Sequence, residues 1–100
     1  MNNYYRNKKL TDSARHEACI CHGRTDTTVW AHSNLMRHGK GRGLKAHDLF
    51  GAYLCFESHH DFDTMSNEKF LEKYSNHKVK WFLDKWEESM IVACEKGYLK

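Results

Sequence analysis

The stretch Leu54 to Asp63, LCFESHHDFD, gathers ionisable and metal-binding side chains at helical spacing. His59 and Asp63 are four residues apart. On an α-helix that separation places them one turn apart on one face, where they can share a divalent ion. Imidazole with carboxylate suits zinc, manganese, nickel or magnesium, and the pair alone does not choose among them. Most His/Asp pairs at this spacing are surface hydrogen bonds, so the ion reading depends on what the rest of the chain brings alongside. Cys55, just upstream, offers a different chemistry, a structural zinc held jointly with earlier cysteines. Those are Cys19 and Cys21 in the knuckle Cys19-Ile20-Cys21-His22-Gly23, which reads either as half of a zinc site or as a turn with two incidental thiols.

These residues need elements to position them. Thr27 to His32 is β-branched and aromatic after a polar turn, which predicts a strand with His32 at its end. The loop that follows, Ser33 to Lys45, alternates glycine with Arg37, His38, Lys40, Arg42 and Lys45. Glycine allows close backbone approach and the interleaved cations suit phosphates; the bland reading is a solvated excursion. Ala46 to Leu54 reads as a second strand, pairing with the first and leading through Cys55 into the helix that carries His59, a β-loop-β-α order. Upstream, Thr11 is expected to cap a short helix over Asp12 to Ala18, and residues 1–9 to form a flexible basic arm. Downstream, Ser66 is expected to cap a helical tail whose aromatics, Phe70 to Trp86, form an amphipathic stripe. That tail should break near Ser75 to His77 and stop at Gly97, with Cys94 as a buried thiol.

Composition bounds the remaining choices. One hundred residues, 40% of them hydrophobic and none proline, predict one folded domain over residues 10–100 rather than a disordered linker. A net charge of +3 is a weak pull towards a polyanion, whereas eight histidines favour metal or acid/base work. No apolar leader or membrane-spanning run is present in MNNYYRNKK or later, so a reducing cytoplasm is expected, with cysteines serving as ligands or core residues.

Taken in order, the chain offers a strand ending in histidine, a basic glycine-rich loop, a second strand and a helix with His-x-x-x-Asp. His32 to His47 spans fifteen residues, His47 to His59 twelve, and His59 to Asp63 four. This order resembles the ββα-metal arrangement of HNH endonucleases. A further set of short matches resembles the YbcO-like family of small prophage nucleases over residues 10–63: Leu10 to Arg15, Glu17-Ala18-Cys19, Thr28 to His32, Gly43-Leu44-Lys45, and Asp48-Leu49 through Cys55, His59 and Asp63. Glu95-Lys96-Gly97 is a weaker echo.

The resemblance implies an α+β fold, a small ββα-metal core with a two-stranded sheet, a short N-terminal helix and C-terminal helices. It also implies a phage or prophage origin in a bacterial host, a structural zinc, and hydrolysis of DNA phosphodiester bonds. His32 would then be the general base, with His47 or Asp48 orienting it, and His59 with Asp63 would hold one catalytic ion (magnesium, manganese, nickel or zinc). Arg37, Lys40, Arg42 and Lys45 would grip the DNA backbone.

Two departures bear on this. Ser58 stands where the family has the second cysteine of a knuckle, and Cys19-x-Cys21 is a shortened first knuckle. Either His22 or His60 then completes a site with Cys19, Cys21 and Cys55, or the zinc has been lost and packing replaces it. Ala31 stands where many HNH enzymes carry a further ligand beside the base. The rival expectation is a non-catalytic, zinc-stabilised module that binds nucleic acid or a phage or host recombination protein; neither reading involves a membrane or specifies an oligomeric state.

Overall fold

The computed structural model describes residues 4–100. Its elements run α1 (Lys8–Ser13), a 3-10 turn, β1 (Val29–His32), a second 3-10 turn, β2 (Gly51–Leu54), α2 (Phe56–Thr64), α3 (Asn67–Tyr74) and α4 (Lys78–Glu95). The fold is a small α+β unit with one two-stranded antiparallel sheet. Val29 pairs with Leu54, Trp30 with Tyr53, Ala31 with Ala52, and His32 with Gly51.

Because side chains alternate along a strand, this register sorts the sheet's two faces. Ala31, Ala52 and Leu54 pack with Phe62, Phe70, Trp81 and Phe82 of the helices. Trp30 and Tyr53 pack on the other side with Leu10, Ala14 and Ala93. Both faces are therefore covered, and Trp30 meets Tyr53 edge-on at 4.9 Å between centroids. Gly51 is required beside them, since a Cβ there would collide with the Trp30 indole. That indole donates from Nε1 to the Asp48 carbonyl at 2.8 Å and so fastens the segment before β2.

Several boundaries differ from the expected ones, each through a local hydrogen bond. α1 begins at Lys8 because Asn7, not Thr11, caps it: the Asn7 side chain accepts from the Leu10 N–H at 3.0 Å. Part of the expected arm over residues 1–9 makes contacts with the rest of the chain. The Tyr5 N–H donates to His47 Nδ1, the Asn7 N–H to Asp48, and Lys8 and Lys9 are helical; residues 1–3 lie outside the described residues. β1 starts two residues late, since Thr27 Oγ1 accepts the Phe56 N–H at the start of α2 and Thr28 Oγ1 donates to the Arg24 carbonyl. β2 is confined to Gly51–Leu54 because the N–H groups of His47, Asp48 and Phe50 go to His38, Tyr5 and His47 carbonyls instead of a strand partner.

The helical tail divides at Ser75, whose φ of 58° ends α3. Ser66 caps α3 by accepting from the Lys69 N–H, and Gly97 follows α4 in the left-handed region. Cys94 is exposed on α4 rather than buried, because Ala93 takes the inward position there.

Asp61 ties α2 to α3, accepting from Lys73 Nζ at 2.6 Å and from the Tyr74 hydroxyl at 2.7 Å. Burial works to raise this carboxyl, but the two hydrogen bonds outweigh it and hold its pKa below the ordinary 3.8. A folded value below the unfolded one means that the stabilisation is complete above about pH 4 and disappears as the pH falls through the folded value. Urea midpoints measured from pH 6 down to pH 2, as rough bounds for this window, should fall in the wild type and much less in Asp61→Asn. Equal slopes would show that other carboxylates govern acid stability.

Candidate active site and metal centre

His32 closes β1 and pairs across the sheet with Gly51, so its side chain emerges at the rim on the Trp30 side. There His32 Nε2 lies 2.7 Å from Asp48 Oδ1. A carboxylate there would accept from the Nε2–H tautomer of His32, the tautomer whose Nδ1 lone pair can take a proton. Asp48 is buried and held from several directions. The Asn7 N–H donates to Oδ2 at 2.6 Å, Arg6 Nη1 approaches Oδ1 at 3.4 Å, and Trp30 fixes its backbone carbonyl. Arg6 is itself anchored by donating to the Ala46 and Lys45 carbonyls. The neighbour of His32 is thus Asp48. His47 serves elsewhere, accepting from the Tyr5 N–H at 2.8 Å and lying against the Tyr4 ring.

A second pair arises from α2. His59 Nε2 and Asp63 Oδ2 are 3.2 Å apart, and Asn34 Nδ2 donates to the other Asp63 oxygen at 3.4 Å. Adjacent ligand atoms around an ion with ~2.1 Å bonds are themselves about 3 Å apart, so this spacing fits two neighbouring positions of one coordination shell. Both pairs line a single open cavity of about 580 Å³. Its rim also carries Arg6, Lys40 and Lys45. Arg37 and Arg42 are exposed and do not line it.

The cavity can therefore present a proton acceptor, an oxygen-and-nitrogen ligand pair and three cations to one anionic substrate. Arg6 and Asn34 are the contributors that sequence reasoning passed over. Arg6 was submerged in a basic arm, and Asn34 stands only two residues beyond His32 in the basic loop. Neither carries a local signal, since their partners are 42 and 29 residues away.

At the start of α2, where Cys55 is the capping position, Cys19, His22 and Cys55 form a group that could hold a metal ion, with one ligand atom from each within 4.8 Å of the others. His22 Nδ1 is 3.3 Å from Cys55 Sγ. The buried Ser58 hydroxyl lies 3.6 Å from Cys19 Sγ and 3.5 Å from Cys55 Sγ. In a tetrahedral site with bonds of ~2.0–2.3 Å, ligand atoms are separated by roughly 3.3–3.8 Å, so the His22–Cys55 spacing suits a zinc-sized ion, with the Ser58 hydroxyl beside both sulfurs. Burial works to raise the Cys19 thiol, but the His22 N–H, the Ser58 hydroxyl and the backbone at Cys55 and Cys21 more than offset it, favouring thiolate.

Cys21 falls outside this group. It packs beside the core, and burial first, with Cys19 next, pushes its thiol up to about 11. Its sulfur lies 4.0 Å from His22 Nε2, the ring nitrogen opposite the one that faces Cys55. His60 is exposed and stacked on Phe56 at 5.8 Å, away from the cysteines, so His22 is the histidine that joins them. Among the described residues, this is the group of three or more His, Cys, Asp or Glu ligands that converges.

No helix is long and apolar enough to cross a membrane. No family model, curated protein or solved structure matches the chain.

Proposed function

We propose that the chain is a metal-dependent endonuclease of the HNH, ββα-metal kind that hydrolyses DNA phosphodiester bonds. The observation that carries this reading is the opening of the His32–Asp48 pair and the His59–Asp63 pair onto one cavity rimmed by Arg6, Lys40 and Lys45. In this mechanism Asp48 holds His32 with Nε2 protonated, and Nδ1 takes the proton from a water attacking the phosphorus in line. His59 and Asp63 would hold a divalent ion, magnesium, manganese, nickel or zinc, and when bound it would supply Lewis-acid stabilisation of developing negative charge. Arg6, Lys40 and Lys45 draw in the phosphates and hold them against that charge. Cys19, His22 and Cys55 would hold a structural zinc, which would fasten the knuckle to the start of α2. The order of motifs resembling the prophage family supports a phage or prophage origin and DNA as the substrate.

The test is plasmid cleavage after chelation and readdition of each metal, run beside His59→Ala. Metal-dependent nicking by wild type alone is expected; nicking that survives His59→Ala would remove the ion from that position. Lys40→Ala with Lys45→Ala should weaken DNA binding across sequences and lower the slope of log affinity against log salt by about 1–2, one phosphate contact for each cation lost. An unchanged slope in anisotropy titrations would take both lysines out of the DNA interface.

One observation favours a non-catalytic, zinc-stabilised DNA-binding module: Ala31, beside the base, packs into the core and contributes no ligand to the cavity. That reading requires salt-sensitive binding without cutting under any metal, for wild type as well as His32→Ala.

A further inference from the structure

Beside the cationic cavity, and sharing Asn34 and Asp63 with it, lies a second recess of about 250 Å³. Its chemistry is different. Leu35 and Val79 provide apolar walls over the largely buried Phe62 and Phe82, and Asn67 adds a second side-chain amide to that of Asn34. Asparagine offers both donors and an acceptor, which suits the polar edge of a heterocycle.

A nucleic-acid strand alternates an anionic phosphate with a flat base that has apolar faces and a polar edge. The two adjoining recesses resemble that alternation, one ringed by Arg6, Lys40 and Lys45, the next walled by Leu35, Val79, Phe62 and Phe82 with Asn34, Asn67, Asp63 and Lys78 at its margin. We propose that the second recess is a subsite for one unstacked DNA base next to the scissile phosphate, so that unpaired DNA is the preferred substrate. In a perfect duplex each base is stacked and its pairing edge is occupied, and filling the recess requires extrusion; an unpaired nucleotide enters without that cost. This inference rests on the nuclease reading of the adjoining cavity, whose phosphate position defines which base is meant.

The experiment compares two short labelled duplexes, one perfect and one with a single unpaired nucleotide. Binding is read by fluorescence anisotropy in chelator, where nothing is cut, and cleavage is then read with manganese. Wild type should bind the unpaired site at least about tenfold more tightly and cut beside it faster. Val79→Trp places an indole in the recess from an exposed helix position, and should bring the two affinities together without changing the melting temperature. Asn67→Ala, also at an exposed position, should narrow the difference by removing the amide alone. Equal wild-type affinities, or a preference that survives both substitutions, would overturn the subsite. A binding preference with no cutting would sink the nuclease reading while supporting the base subsite; equal binding with metal-dependent cutting would do the reverse.

Discussion

His32→Ala should lower metal-dependent cleavage by about 10²–10⁴-fold, the usual contribution of a positioned general base, while DNA affinity and melting temperature stay close to wild type. The stability expectation follows from position. His32 stands at the end of β1, its recorded polar contact is Asp48, and the Asp48 carboxylate retains Arg6 and the Asn7 N–H when the imidazole is gone. Asp48→Asn separates orientation from basicity. It keeps the side chain's shape but removes the negative charge that holds Nε2 protonated, so its loss of rate should approach that of His32→Ala. His47→Ala should cost little rate, because His47 faces Tyr4 and Tyr5 rather than His32. Rates for all three, measured at saturating DNA, check the assignment. A His47 variant as slow as the His32 variant would reverse the roles of the two histidines.

Removing metal from the Cys19–His22–Cys55 group should have the largest effect on stability. An ion present at roughly a thousand times its dissociation constant stabilises the folded state by about 4 kcal/mol. A domain of this size shifts by roughly 4–8 °C for each kcal/mol, so strong chelation should lower the melting temperature by roughly 15–30 °C. Metal analysis of protein purified without chelators should find about one zinc per chain, the stoichiometry of a single structural site. Cys55→Ser and His22→Ala should each lose that zinc, whereas Cys21→Ser and His60→Ala should keep it. Ser58→Cys replaces a neutral hydroxyl beside both sulfurs with a sulfur ligand and should tighten zinc retention against chelator. A chain free of bound metal whose melting temperature ignores chelator would show that packing alone holds the knuckle to α2.

The elements that depend on local pattern were legible in the residues themselves. The His59 to Asp63 spacing placed an imidazole and a carboxylate on one helical face, and the β-branched run ending at His32 located β1. Ser66, the break at Ser75 and Gly97 marked helix ends, because capping and left-handed turns are decided within a few residues. The boundaries that moved did so where a side chain reached a distant backbone group, as when Asp48 captured the Asn7 N–H and gathered the start of α1 into the site. The choice between His47 and Asp48 had the same character. Both stand beside β2 in the sequence, and only the Trp30 bond to the Asp48 carbonyl and the cradle of Arg6 and Asn7 turn the carboxylate towards His32.

By itself, then, the sequence determined an α+β unit of the order strand, basic loop, strand and His-bearing helix, along with the residue types available for chemistry. The tertiary structure alone decided which of them meet. Cys19 and Cys55 are joined with His22 rather than with Cys21 or His60, and Arg6 and Asn34 reach the cavity from segments without any motif. Helical and strand periodicity act over a few residues and leave a readable pattern. Convergence across tens of residues depends on how the sheet's two faces are packed, and a single sequence carries no local record of that.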